Sequence, residues 1–196
     1  IVRRCFNGFD SLTSISGTAY LDFIPHYAFD SCKLLESTVD VSNARFIGIK
    51  AFNECNKALI TGLSSKVEQV GSNAFYGCYK LTSANIPNAT IIDDEAFCHC
   101  KGLTSANCSS AVKIGNRAFQ FCSALENITL TNTSVSVGDT AFSNCNSLKN
   151  VYNHESITSV GTNCFTNCTS LAKIMHLPKV QRIPSSVIDN SSIRYI

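Results

Sequence analysis

The residues here that could do chemistry are cysteines and histidines, and their tightest cluster is Cys98-His99-Cys100. Adjacent soft ligands of this kind could hold zinc, and a Cys–His pair could attack an acyl group. The surroundings support neither reading. No second ligand pair stands at a finger-like spacing, and no motif places an Asn or Asp to orient the imidazole. Cys164 and Cys168, four apart, could pair across a helical turn or bind a metal. His26, His99, His154 and His176 share no common place in any motif. A cysteine hydrolase centred on Cys98 and His99 is therefore the weakest of the functional readings, and no cofactor, metal or catalytic residue is expected.

What positions these side chains is a repeat. Phe6, Phe29, Phe52, Phe75, Phe97, Phe119, Phe142 and Phe165 follow one another at 22 or 23 residues, which is the mark of a stacked repeat protein. Around each Phe the same frame recurs: Ile or Val five before, usually Gly four before, Ala just before, Cys three after and Leu six after. Val70-Gly71, Ala74-Phe75, Cys78 and Leu81 make one clear copy, and a degraded ninth is visible at Ile183-Pro184 and Val187-Ile188. Seven of the eleven cysteines, from Cys32 to Cys168, occupy the one frame position. Stacked copies put them in a ladder at least about 4.8 Å apart with parallel side chains, whereas a disulfide needs converging Cβ atoms about 3.5–4.5 Å apart. The ladder should therefore hold free thiols. Phe9 fills the slot in the first copy, which suggests that it wants apolar volume rather than thiol chemistry. Cys164 sits in the small-residue slot, as Cys5 does, and Cys108 shares an inward strand position with Ile86 and Leu130. Cys98 and His99 fall on the convex turn.

After each Leu the pattern alternates, as in Leu125-Glu126-Asn127-Ile128-Thr129-Leu130, predicting a short strand that stacks into a parallel sheet. The Gly or Pro before Ala-Phe predicts a turn, followed by about one turn of helix that carries Phe and Cys inward. Ala58, Asp93, Thr38 and Asp40 depart from the frame, the last two suggesting a slipped strand near residues 36–42. A period kept from end to end implies one elongated domain over residues 1–196. Only 15% of residues are charged and the net charge is +2, which supplies no basic stripe for nucleic acid. No apolar run approaches the roughly 18 residues of a membrane span. Ile1 falls inside a repeat, so the chain reads as a fragment of a longer protein. Apolar Ile1, Val2, Ile193, Tyr195 and Ile196 at its ends predict end-to-end self-association or capping by irregular structure.

The frame, Leu-x-x-Ile-x-Leu followed by Ile-Gly-x-x-Ala-Phe-x-x-Cys, resembles the BspA-like branch of the leucine-rich repeat proteins over the whole chain. That resemblance implies an α/β repeat solenoid of about eight or nine copies. It would be a right-handed superhelix or horseshoe with its parallel sheet on the concave side and short helical turns on the convex side. It also implies a surface-exposed or secreted protein that acts in adhesion, by binding a protein or glycan such as a host matrix or cell-surface molecule. An intracellular interaction scaffold is the alternative.

The strand residues between the buried ones define the candidate binding face. One row runs Ser83, Ser105, Asn127, Asn150 and Lys173, and the next Asn85, Asn107, Thr129, Tyr152 and Met175, with Ile60 and Val39 placed outward by the same arithmetic. The strip is neutral and hydrogen-bonding and becomes larger and more amphipathic toward Tyr152, Lys173 and Met175, so the binding residues expected are Asn127, Thr129, Asn150, Tyr152, Lys173 and Met175. Convex residues such as Gln120 and Asn144 vary without making a shared surface. Six sequons, at Asn88, Asn107, Asn127, Asn132, Asn167 and Asn190, only slightly exceed what this composition yields by chance.

Overall fold

In the computed structural model, which describes residues 2–171, 177–184, 186 and 187, each copy of the repeat is one rung hydrogen-bonded to the next. The aliphatic residue five before Phe favours extended backbone. There the rungs form a parallel seven-stranded sheet: Phe23–Ile24, Phe46–Ile47, Gln69–Val70, Ile91–Ile92, Lys113–Ile114, Val135–Val137 and Ile157–Val160. Register sets like on like, with Val70 opposite Ile92 and Ile92 opposite Ile114. This sheet is absent from the sequence expectations because most of its strands are two residues long, too short to show alternation. The expected sheet follows the Leu. Ser83–Asn85, Ser105–Asn107, Asn127–Thr129 and Asn150–Tyr152 pair in parallel, burying Ala84, Ala106, Ile128 and Val151 and turning the residues on either side toward solvent.

The expected helical turns are not there, so the α/β description is corrected to a parallel-strand β-solenoid. Among the described residues there is no α-helix, only the 3-10 turns Thr18–Tyr20 and His154–Ser156. The cause lies two residues either side of every Phe, where the backbone is left-handed: around Phe119, Arg117 has φ 55° and Phe121 has φ 60°. A left-handed residue at every fourth place interrupts the run of i to i−4 bonds that a helix needs. Instead, alternate amides go two ways. Those of Arg117, Phe119 and Phe121 donate to the carbonyls of Asp139, Ala141 and Ser143 on the next rung at 2.8, 2.8 and 2.9 Å. Those of Ala118, Gln120 and Cys122 close turns onto Gly115, Arg117 and Phe119. A non-glycine residue in this region costs on the order of 1–3 kcal/mol, and it persists where the surroundings over-determine it. Here the inter-rung bonds on both sides of Phe do so.

The eight phenylalanines form one column, their rings nearly parallel with successive centroids 5.1–5.5 Å apart. From Phe29 to Phe165 the rings are buried, and Phe6 is partly exposed. The ninth copy is seen only in part. The Phe165 amide donates to the Val187 carbonyl at 2.8 Å, and Ile188 lies outside the described residues.

The Gly slot is set by close rung-to-rung approach: a Cβ on Gly138 would stand 2.7 Å from the Asn116 nitrogen. Just beyond it runs a polar ladder. Asp94 accepts from the Asn116 amide at 2.9 Å, Asn116 from Asp139 at 2.9 Å and Asp139 from Thr162 at 2.7 Å.

The slip expected near residues 36–42 is present. Val39 is buried and pairs with buried Ile60, while Thr38 and Leu59 are exposed. Thr38–Asp40 and Leu59–Thr61 make a separate two-stranded sheet. Val39 and Ile60 therefore belong to the core, not to the outward rows where repeat arithmetic puts them.

Candidate binding face

Strand register assembles the candidate face directly. Asn127 lies opposite Ser105 on one side and Asn150 on the other, and Thr129 lies between Asn107 and Tyr152. The structure thus brings together Asn127, Thr129, Asn150 and Tyr152. Lys173 and Met175 lie outside the described residues. Side-chain amides brace the face along the stack, with Asn150 Nδ2 donating to Asn127 Oδ1 at 2.7 Å and Asn107 Nδ2 to Asn85 Oδ1 at 3.1 Å. Ser109 Oγ adds a bond to Asn107 Oδ1 at 2.6 Å. Each amide keeps further donor and acceptor capacity, since Asn offers two of each. At the end of the described rows Tyr152 is 49% exposed, a large ring beside a neutral hydrogen-bonding strip.

The Cys98-His99 pair is built the wrong way for a nucleophile and base. His99 is left-handed, φ 59°, and packs outside on its neighbours, whereas Cys98 is only 2% exposed rather than lying on the turn surface. Among the described residues no hydrogen bond joins the Cys98 thiol to the His99 imidazole. Burial, reinforced by Glu95, pushes the Cys98 thiol up to about 12, while an attacking thiolate needs the opposite shift. Burial and then Lys101 lower the His99 pKa. No group of three His, Cys, Asp or Glu among the described residues is arranged to hold a metal ion.

All eleven cysteines are free. The ladder thiols nevertheless have a task that a purely apolar slot would not supply: each donates to the carbonyl of the Phe one rung back. Cys55, Cys78, Cys100, Cys122, Cys145 and Cys168 reach Phe29, Phe52, Phe75, Phe97, Phe119 and Phe142 at 3.0–3.1 Å.

The turn face is less featureless than expected. His99 stacks on Phe121 at 4.5 Å and meets Tyr76 edge-on at 5.4 Å. The signal was available: His99 and Phe121 hold the same frame position, two after Phe, in adjacent copies.

The model of the BspA type leucine-rich repeat region matches six copies, over residues 1–104 and 90–196. The chain belongs to this family. Solved structures similar to it include the T. pallidum leucine-rich repeat protein, at 24% identity and TM-score 0.70, over 89% of this chain and 83% of that one. A leucine-rich repeat protein from Eubacterium ventriosum aligns at 22% identity and TM-score 0.66, over 83% of this chain and 45% of that one. A leucine-rich cell surface protein from Faecalibacterium prausnitzii aligns at 24% identity and TM-score 0.63, over 89% of this chain and 48% of that one. The BspA-type chain thus spans under half the length of the latter two. No curated protein matches it in sequence. At these identities the structures establish the fold alone. The six family copies are fewer than the eight or nine expected, and fewer than the eight stacked phenylalanine rings.

Proposed function

We propose that this BspA-type repeat chain is a non-enzymatic binding module whose four-stranded sheet lines the concave side of a right-handed solenoid and contacts a protein or glycan. The observation that carries the reading is the strand register, which sets Asn127 beside Asn150 and Thr129 beside Tyr152 on one face, Tyr152 exposed and the other three half-buried. A large ligand can touch many such places at once. An exposed aromatic ring bordered by hydrogen-bonding groups has the make-up of an interface anchor. The neighbour described as a cell surface protein favours a surface or secreted setting, with host matrix or cell-surface molecules as ligands.

The test compares two double variants for binding to an immobilised mucosal matrix protein preparation, each first shown to keep the wild-type unfolding midpoint. Thr129→Ala with Tyr152→Ala should weaken binding by about 1–2 kcal/mol or more per anchor, and Gln120→Ala with Asn144→Ala should leave it unchanged. Loss confined to the second pair would move the site to the turn face.

A further inference from the structure

Along the four-stranded sheet the inward column is interrupted at its last described rung. The residue that follows each earlier strand of the four-stranded sheet is Ile86, Cys108 or Leu130, all buried. In the rung after Phe142 that slot holds Asn153, whose polar side chain is exposed on a left-handed backbone with φ 58°. The turn from there to the seven-stranded sheet is one residue shorter than in the rung before, residues 153–156 against 130–134. The extra residue reappears as a bulge at Thr158, where Val135 pairs with Ile157 but Ser136 pairs with Ser159.

The shortened turn winds into the 3-10 segment His154–Ser156 and leaves an open cleft of about 410 Å³, lined in part by Thr131, Thr133, Asn153, Glu155, Ser156 and Lys179. Lys179 reaches over the missing volume. Its Nζ donates to the Thr133 carbonyl at 2.7 Å across 46 residues, two rungs away. Ser156 is only 6% exposed and its hydroxyl oxygen has no hydrogen-bond partner. A buried polar group left unmatched carries a penalty that a suitable occupant removes.

We propose that this cleft seats one pyranose ring of a glycan. The inference rests on the binding-module reading above and narrows its ligand class. A sugar hydroxyl both donates and accepts, and the cleft offers the complementary set. The Glu155 carboxylate accepts, the Lys179 ammonium donates, and the Thr133 and Ser156 hydroxyls and the Asn153 amide do both. Lys179 and Glu155 balance in charge, so the cleft has no net attraction for a phosphate or a polycation. Its volume lies within the range of about 300–1,000 Å³ usual for ligand sites.

Saturation-transfer NMR of the whole chain with glucose, galactose, mannose and N-acetylglucosamine at millimolar concentration tests this. At least one sugar should receive saturation. Lys179→Met and Ser156→Ala should each weaken its binding by about tenfold, the value of one well-made hydrogen bond to a charged or buried partner. Ser156→Ala should do so while keeping or raising the unfolding midpoint, because the hydroxyl it removes has no partner in the fold; a purely structural serine would not separate the two readouts. Gln120→Ala, on the turn face, should leave sugar binding intact. Absence of transfer from all four sugars, or transfer unchanged by both cleft variants, overturns the sugar site. The sheet-face reading is judged separately by the matrix titration.

Discussion

The Cys122 thiol donates to the carbonyl oxygen of Phe97, one rung back, at 3.0 Å. That oxygen already accepts the Cys100 amide at 3.1 Å, closing the turn that carries Phe97 inward. The thiol therefore ties one rung's turn to the next rung's ladder, beside the ring column. The same bond recurs along the stack, and it explains why the slot that holds Phe9 in the first copy holds Cys in the seven that follow.

A donor role and a volume role separate on substitution. Cys122→Ala loses both and should cost about 1–3 kcal/mol, the sum of a small cavity and a lost hydrogen bond. Cys122→Ser keeps a donor and should recover part of that loss, while Cys122→Val, which keeps apolar volume, should remain below wild type. Urea midpoints rank the three. Valine at or above wild type with serine the worst would mean that the slot needs only apolar volume.

The ring column predicts a position effect. Phe119 stacks on Phe97 and Phe142, but Phe6 has only Phe29 in the column and is partly exposed. Phe119→Ala should therefore cost about 3–5 kcal/mol, and Phe6→Ala clearly less. Equal losses in chemical denaturation would contradict a continuous spine.

The buried thiols set the alkaline limit of stability. Burial, and then neighbouring ladder thiols, raise Cys78, Cys100, Cys122 and Cys145 well above the ordinary value of 9.0. In the unfolded chain they ionise from about pH 8.5. Above that pH the unfolded state holds fewer protons than the native state, so stability is complete below it and falls as pH rises. One unit above the unfolded value, each such thiol withdraws about 1.4 kcal/mol. Urea midpoints under reducing conditions should drop between pH 7 and pH 10, and a flat profile would contradict the buried, protonated ladder.

The period of Phe, Cys and Leu made the stack legible, and alternation after Leu125 and Leu148 correctly placed Asn127, Thr129, Asn150 and Tyr152 outward. Turn chemistry was not legible. Tyr27, Arg117 and Phe121 are left-handed although nothing in their side chains asks for it; the next rung's carbonyls impose it, and local propensity cannot report that. Val39 and Ile60 were misplaced because a one-residue slip exchanges the faces of a strand. The notch at Asn153 was visible as a polar residue in an apolar slot, but that Lys179 bridges it depends on contacts two rungs apart.

The most direct test of the stacked, free-thiol architecture is alkylation of the native and the unfolded chain followed by mass spectrometry. Cys5 alone is partly exposed and the other ten cysteines are buried. The native protein should label at Cys5, and the remaining thiols should become reactive only on unfolding, each as a free thiol. Rapid native labelling of Cys122 or its ladder neighbours, or disulfides joining successive rungs, would contradict the account.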